Sequence, residues 1–69
     1  MLANNIGISI KNRRKELGIT QPHLAELAKI SINTLYKLER GQSNPSLDVL
    51  NKIGEVLGME LKFEIKKII

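Results

Sequence analysis

The chain has no cysteine and only one histidine, His23, among its 69 residues. The first absence excludes a disulfide framework and a thiolate metal site, and a lone histidine holds no metal without several partners nearby. No cofactor is expected. No apolar run is long enough to cross a bilayer, and the N-terminus lacks the basic-then-apolar order of a signal peptide. The expectation is a cytoplasmic chain with no membrane partner. Acids, bases and nucleophiles form no cluster, so an enzyme is not expected. There is no internal repeat or low-complexity segment. A chain of this length supports one domain with a small core, stabilised by packing or self-association.

What is present begins with charge. The net charge is +4 and the sequence pI is near 9.7. That balance suits a polyanionic partner, and it suits an ordinary solvated surface equally well. Its distribution is uneven: Lys11, Arg13, Arg14 and Lys15 fall together, whereas the acidic residues are scattered singly.

Four helices are predicted. Ile6, Ile10 and Leu17 share a stripe at helical spacing that sets a first helix over about 4–17, stopped by Gly18, with Ile8 pointing the other way. Leu24, Ala25, Leu27 and Ala28 place the second, capped by Thr20 or, because Pro22 disfavours a helical residue before it, by Gln21. Ser31 caps a third helix with Leu35 and Leu38 on its apolar side, and Gly41 ends it. After a polar loop, Ser46 caps a fourth helix striped by Leu47, Leu50, Ile53 and Leu57. Val49 and Val56 widen that stripe beyond one buried face, as a subunit contact would require.

Past Gly58 the period changes to two, with Met59, Leu61, Phe63 and Ile65 alternating with charged residues. This predicts a strand over 59–65. A lone strand leaves its hydrogen-bonding edges open, and the simplest remedy is the same strand from a second copy. A frayed tail or a continued amphipathic helix is the alternative.

The informative stretch is TQPHLAELAKISINTLYKLERG, residues 20–41, which reads as two short helices joined by a tight turn. On the second of these, Asn33, Lys37 and Arg40 form a polar stripe opposite Leu35 and Leu38. Such a stripe can enter a major groove while the apolar side anchors to the domain, and it can equally be a solvated helix face. Asparagine can pair with an adenine edge, and lysine can reach guanine acceptors or a phosphate.

With IGISIKNRRKELGIT, then QPHLAELA, LERG and NPSLDVLNKIGEVLG, residues 6–61 resemble the Xre family of helix-turn-helix regulators, related to the lambda and Cro repressors. The resemblance implies an all-α, four- to five-helix lambda-repressor-like DNA-binding domain over 1–58. By position it implies a phosphate contact for Gln21 and base reading by Ile32, Asn33 and Lys37. Ile32 would offer an apolar contact, as to a thymine methyl, and periodicity also allows it at the core edge. It further implies a structural ion pair of Arg14 with Glu39, which removes both from the DNA-reading set. Tyr36 joins the base-reading candidates. Ser31, Thr34, Arg40, Gln42, Ser43 and Asn44 are phosphate candidates.

Two departures stand out. Lys29 occupies a turn position that usually carries glycine, and Pro22 follows Gln21 closely enough to disturb its contact. The ending LGMELKFEIKKII resembles the HipB-type antitoxins, which implies a C-terminal dimerisation strand and tail over 59–69, the strands pairing across a homodimer. Met59, Leu61, Phe63, Ile65, Val49 and Val56 are its interface candidates. The resemblance further implies a repressor that binds a palindromic duplex operator, autoregulates a toxin-antitoxin operon and engages a HipA-type kinase toxin. A phage- or plasmid-type repressor without a toxin, and a helix-turn-helix interaction module that does not bind DNA, are the alternatives.

Overall fold

Hydroxyls start three of the four helices and glycines stop three of them. Thr20, Ser31 and Ser46 hold extended backbone and accept hydrogen bonds from the amides of His23, Thr34 and Val49 at 3.2, 3.0 and 3.1 Å. Each supplies a partner for an amide that the first helical turn leaves open. The computed structural model describes residues 2–63 and 65. Among them are α1 (Leu2–Glu16), α2 (Gln21–Ala28), α3 (Ile32–Glu39) and α4 (Leu47–Leu57). Thr20, not Gln21, caps α2; Pro22 lies in the first turn, where its missing amide hydrogen has no partner to lose.

The four helices end alike. The amides of Ile19, Ile30, Gln42 and Met59 each reach back five residues, to the carbonyls of Arg14, Ala25, Lys37 and Gly54. This closure needs a left-handed residue just before the donor. Gly18, Gly41 and Gly58 supply it at φ near 70°, and Lys29 supplies it at φ 58°. The turn is therefore not reshaped by the missing glycine. Lysine carries the conformation at a cost.

Ile10, Leu24, Ala25, Ala28, Leu35, Leu38, Ile53 and Leu57 form the core, with Ile6, Val49, Leu50 and Val56 packed around it. α1 lies chiefly against α3, and α2 bridges α3 and α4. The α1–α3 crossing is close because of Gly7: a Cβ there would overlap the Leu38 carbonyl oxygen and come within 3.2 Å of that of Glu39.

Several expectations need correction. Leu17, Leu27 and Leu47 are exposed, not buried with their stripes. Leu17 lies past the end of α1, and Leu47 is the first residue of α4. The strand expected over 59–65 is not formed in the single chain: residues 59–63 and 65 carry no regular element, and no ladder partner exists among the described residues. Glu64 of that segment and the tail over 66–69 lie outside the described residues. Among the described residues no helix is long and apolar enough to cross a membrane.

Candidate nucleic-acid interface

α3 begins at Ile32 because Ser31 caps it, and it turns its apolar side inward because Leu35 and Leu38 are fully buried. The opposite side carries Ile32, Asn33, Tyr36, Lys37 and Arg40, all exposed. Ile32 therefore stands on the surface, 48% exposed, and not at the core edge. Arg40 donates to the Tyr36 hydroxyl at 2.8 Å, and its guanidinium lies 5.2 Å from the Tyr36 ring centroid. Hydrogen bond and cation–π attraction thus hold one cation against one ring across a single helical turn.

Beneath this helix runs a buried polar network. Arg14 Nε and Nη2 donate to the two carboxylate oxygens of Glu39 at 2.8 and 3.0 Å, and Nη1 donates to the Ile19 carbonyl at 2.9 Å. Gln21 Nε2 donates to Glu39 Oε1 at 3.0 Å. No buried side-chain nitrogen or oxygen among the described residues lacks a partner. Burial alone would push the Glu39 carboxyl up, but the hydrogen bonds from Arg14 and Gln21, with the charges of Arg14 and Lys11, hold it below the ordinary carboxylate value. The hydrogen bond to Glu39 raises Arg14 further against the cost of burial. The network joins α1, the start of α2 and the end of α3, so it sets the angle at which α3 is presented.

Gln21 keeps a place beside α3 despite Pro22, with its carbonyl oxygen and second amide hydrogen not used by Glu39. The Ser31 and Thr34 hydroxyls lie 2.7 Å apart and are engaged in the cap of α3. Gln42 and Asn44 are exposed and Ser43 half-buried in the loop after α3, where the Gln42 amide closes the helix on Lys37. The C-terminal candidates lie apart from this surface. Met59 and Leu61 line a cleft with Ile6, Leu50 and Gly54 between α1 and α4, while Phe63 and Ile65 are 95% and 99% exposed. Val49 and Val56 are half-buried against their own core.

The basic cluster of α1 is divided by the fold. Arg14 is buried on Glu39, and Arg13, its side chain 40% exposed, donates to the Leu57 carbonyl at 2.9 Å and pairs with Glu16 at 3.4 Å, so Lys11 and Lys15 are the exposed cations of the cluster that carry neither engagement. Sequence reasoning had no signal for Arg13, whose partner lies 44 residues away. Gly7 did carry one, as a glycine inside an apolar helical pattern. The Tyr36–Arg40 pair was legible from its i, i+4 spacing.

The sequence and fold match known proteins. The helix-turn-helix family model HTH_3 matches residues 10–63. An HTH-type transcriptional regulator of Methanothermobacter thermautotrophicus is 43% identical over 51 residues, 74% of each chain. The immunity repressor protein of Bacillus phage phi105 is 41% identical over 56 residues, 81% of this chain and 39% of that protein. A putative HTH-type regulatory protein of Methanococcus vannielii is 40% identical over 55 residues, 80% of this chain and only 17% of its own length. Among solved structures, the clp gene regulator ClgR from Corynebacterium glutamicum superposes with TM-score 0.83 at 30% identity, over 88% of this chain and 78% of that one. The chain belongs to the helix-turn-helix family of transcriptional regulators typified by the Xre-type domain.

Proposed function

We propose that this protein is a cytoplasmic, sequence-specific DNA-binding repressor in which α3 enters the major groove. The observation that carries the reading is the pairing of an exposed Ile32, Asn33, Tyr36, Lys37 and Arg40 surface with a buried Arg14–Glu39–Gln21 network that fixes its angle. Asn33 and Lys37 supply hydrogen-bonding groups for base edges, with Ile32 and Tyr36 beside them. Gln21, Arg40, Ser31, Thr34 and the 42–44 loop serve phosphates, which position the protein without reading sequence.

The active species is a homodimer on a palindromic operator, joined by strands over 59–65. Phe63 and Ile65 are almost fully exposed and Leu61 is 43% exposed, an apolar side for a second copy to cover, while Met59 and Leu61 also line the α1–α4 cleft. The finer role is that of a HipB-like antitoxin that represses its own operon and binds a HipA-type kinase. A phage-type repressor without a toxin is the second reading, favoured by the likeness to the phi105 immunity repressor. The test is a binding titration on the duplex upstream of the protein's own gene and on random duplex, across a range of salt. Specific binding lost steeply with salt supports the reading; equal, negligible binding to both refutes it. Co-purification with a neighbouring kinase-like gene product separates the two roles.

A further inference from the structure

Ile32 is the first residue of α3, and Tyr36 follows one turn later, roughly 40° away around the helix. Both are about half exposed, 48% and 45%, on a helix otherwise presenting Asn33, Lys37 and Arg40. The Tyr36 hydroxyl accepts from Arg40 and keeps its own O–H for donation, while the apolar surface that Tyr36 adds is its ring. The Ile32 side chain has no donor or acceptor. Resting on the reading of α3 as the groove-entering helix, we infer that Ile32 and Tyr36 form an apolar ridge that reads pyrimidine 5-methyl groups, and commit to thymine as the base.

The chemistry leaves few other partners in that groove. The early residues of a recognition helix reach the base edges. There, guanine, adenine and cytosine present donors and acceptors, which an isoleucine would desolvate without replacing; thymine alone adds a methyl group. A protein partner is a poorer fit, since covering the ridge would also bury Asn33, Lys37 and the Arg40 guanidinium that sits on Tyr36. Ridge and cations suit one occupant, a polyanion carrying methyl groups at its base edges.

The experiment begins with selection from a randomised duplex library, followed by resynthesis of the enriched duplex with deoxyuridine replacing thymidine one position at a time. Each methyl in contact is worth about fourfold in affinity, so one or two positions per half-site should weaken by that factor. Ile32→Ala or Tyr36→Ala should erase the sensitivity at its own position while leaving the others. Exchanging the thymine–adenine pair at a sensitive position for cytosine–guanine and then for 5-methylcytosine–guanine puts the methyl back beside a different hydrogen-bonding edge, so affinity should rise about fourfold between these two duplexes while staying below the thymine duplex; no rise would overturn the methyl contact, and full recovery to the thymine level would overturn the choice of thymine. Specific binding indifferent to uracil at every position would overturn the inference and leave the DNA-binding reading intact. Uracil sensitivity that persists unchanged in both variants would also overturn it. Failure of the library to enrich any sequence would sink the DNA-binding reading itself.

Discussion

Replacing Glu39 by alanine removes three hydrogen bonds at once, two from Arg14 and one from Gln21. Arg14 then stays 9% exposed with the Ile19 carbonyl as its remaining partner, and a guanidinium cannot escape by losing its proton. Stranding one half of a buried pair costs about 3–5 kcal/mol. A domain of this length has roughly 3–10 kcal/mol in total. The loss should lower Tm by about 12 °C or more, or leave the chain unfolded at ambient temperature. Arg14→Ala strands the carboxylate instead, which can take up a proton as pH falls, so its deficit should shrink in acid. Because Glu39 has a folded-state pKa below its unfolded one, its contribution is complete above the ordinary carboxylate value of 4.5 and fades as pH drops through the lowered value. The parent should therefore lose stability below pH 4.5 faster than Glu39→Gln. Thermal melts by circular dichroism between pH 3 and 7 read all of this. Parent-like melts for both alanine variants, with DNA affinity lost, would refute the structural role and move Arg14 and Glu39 to the DNA surface.

Asn33→Ala should weaken operator binding by about 1–3 kcal/mol with little change on random duplex, whereas Arg40→Ala should weaken both and lower the salt slope by about one. Competition titrations distinguish the two patterns, and equal losses for Asn33→Ala would remove it from the base-reading set. Truncation after Gly58 should give a monomer in sedimentation that loses operator affinity because the half-sites are no longer bound together, at about 34 Å spacing. An intact dimer would point to α4 instead. Gly7→Ala should destabilise by about 1–3 kcal/mol, since the methyl meets backbone at α3 and only a shift of α1 relieves it; an unchanged urea midpoint would contradict that crossing. Lys29→Gly should raise stability by about 0.5–1 kcal/mol by relieving a left-handed lysine, and a lower Tm would show that the turn holds Lys29 by other contacts.

The elements themselves were legible because their signals are local. Ser31 and Ser46 cap within three residues, Gly41 and Gly58 close within five, and Leu35, Leu38, Ile53 and Leu57 repeat at helical spacing, so neighbouring residues alone locate α3 and α4. The exposed side of α3 followed from the same period, which is why Asn33, Lys37 and Arg40 could be named from sequence. Periodicity failed at helix ends: Leu17 and Leu47 match their stripes yet are 44% and 66% exposed. Only the tertiary structure decided which cations of α1 are available, because Arg13 and Arg14 meet partners 44 and 25 residues away and no local pattern encodes such distances. It also decided that Ile32 faces solvent and that Gln21 rests on Glu39, since both depend on how closely α1 and α2 approach α3 through Gly7 and the buried pair. Sequence determined the helices and their caps through short-range hydrogen bonding; the angle at which α3 is offered is a property of packing between helices.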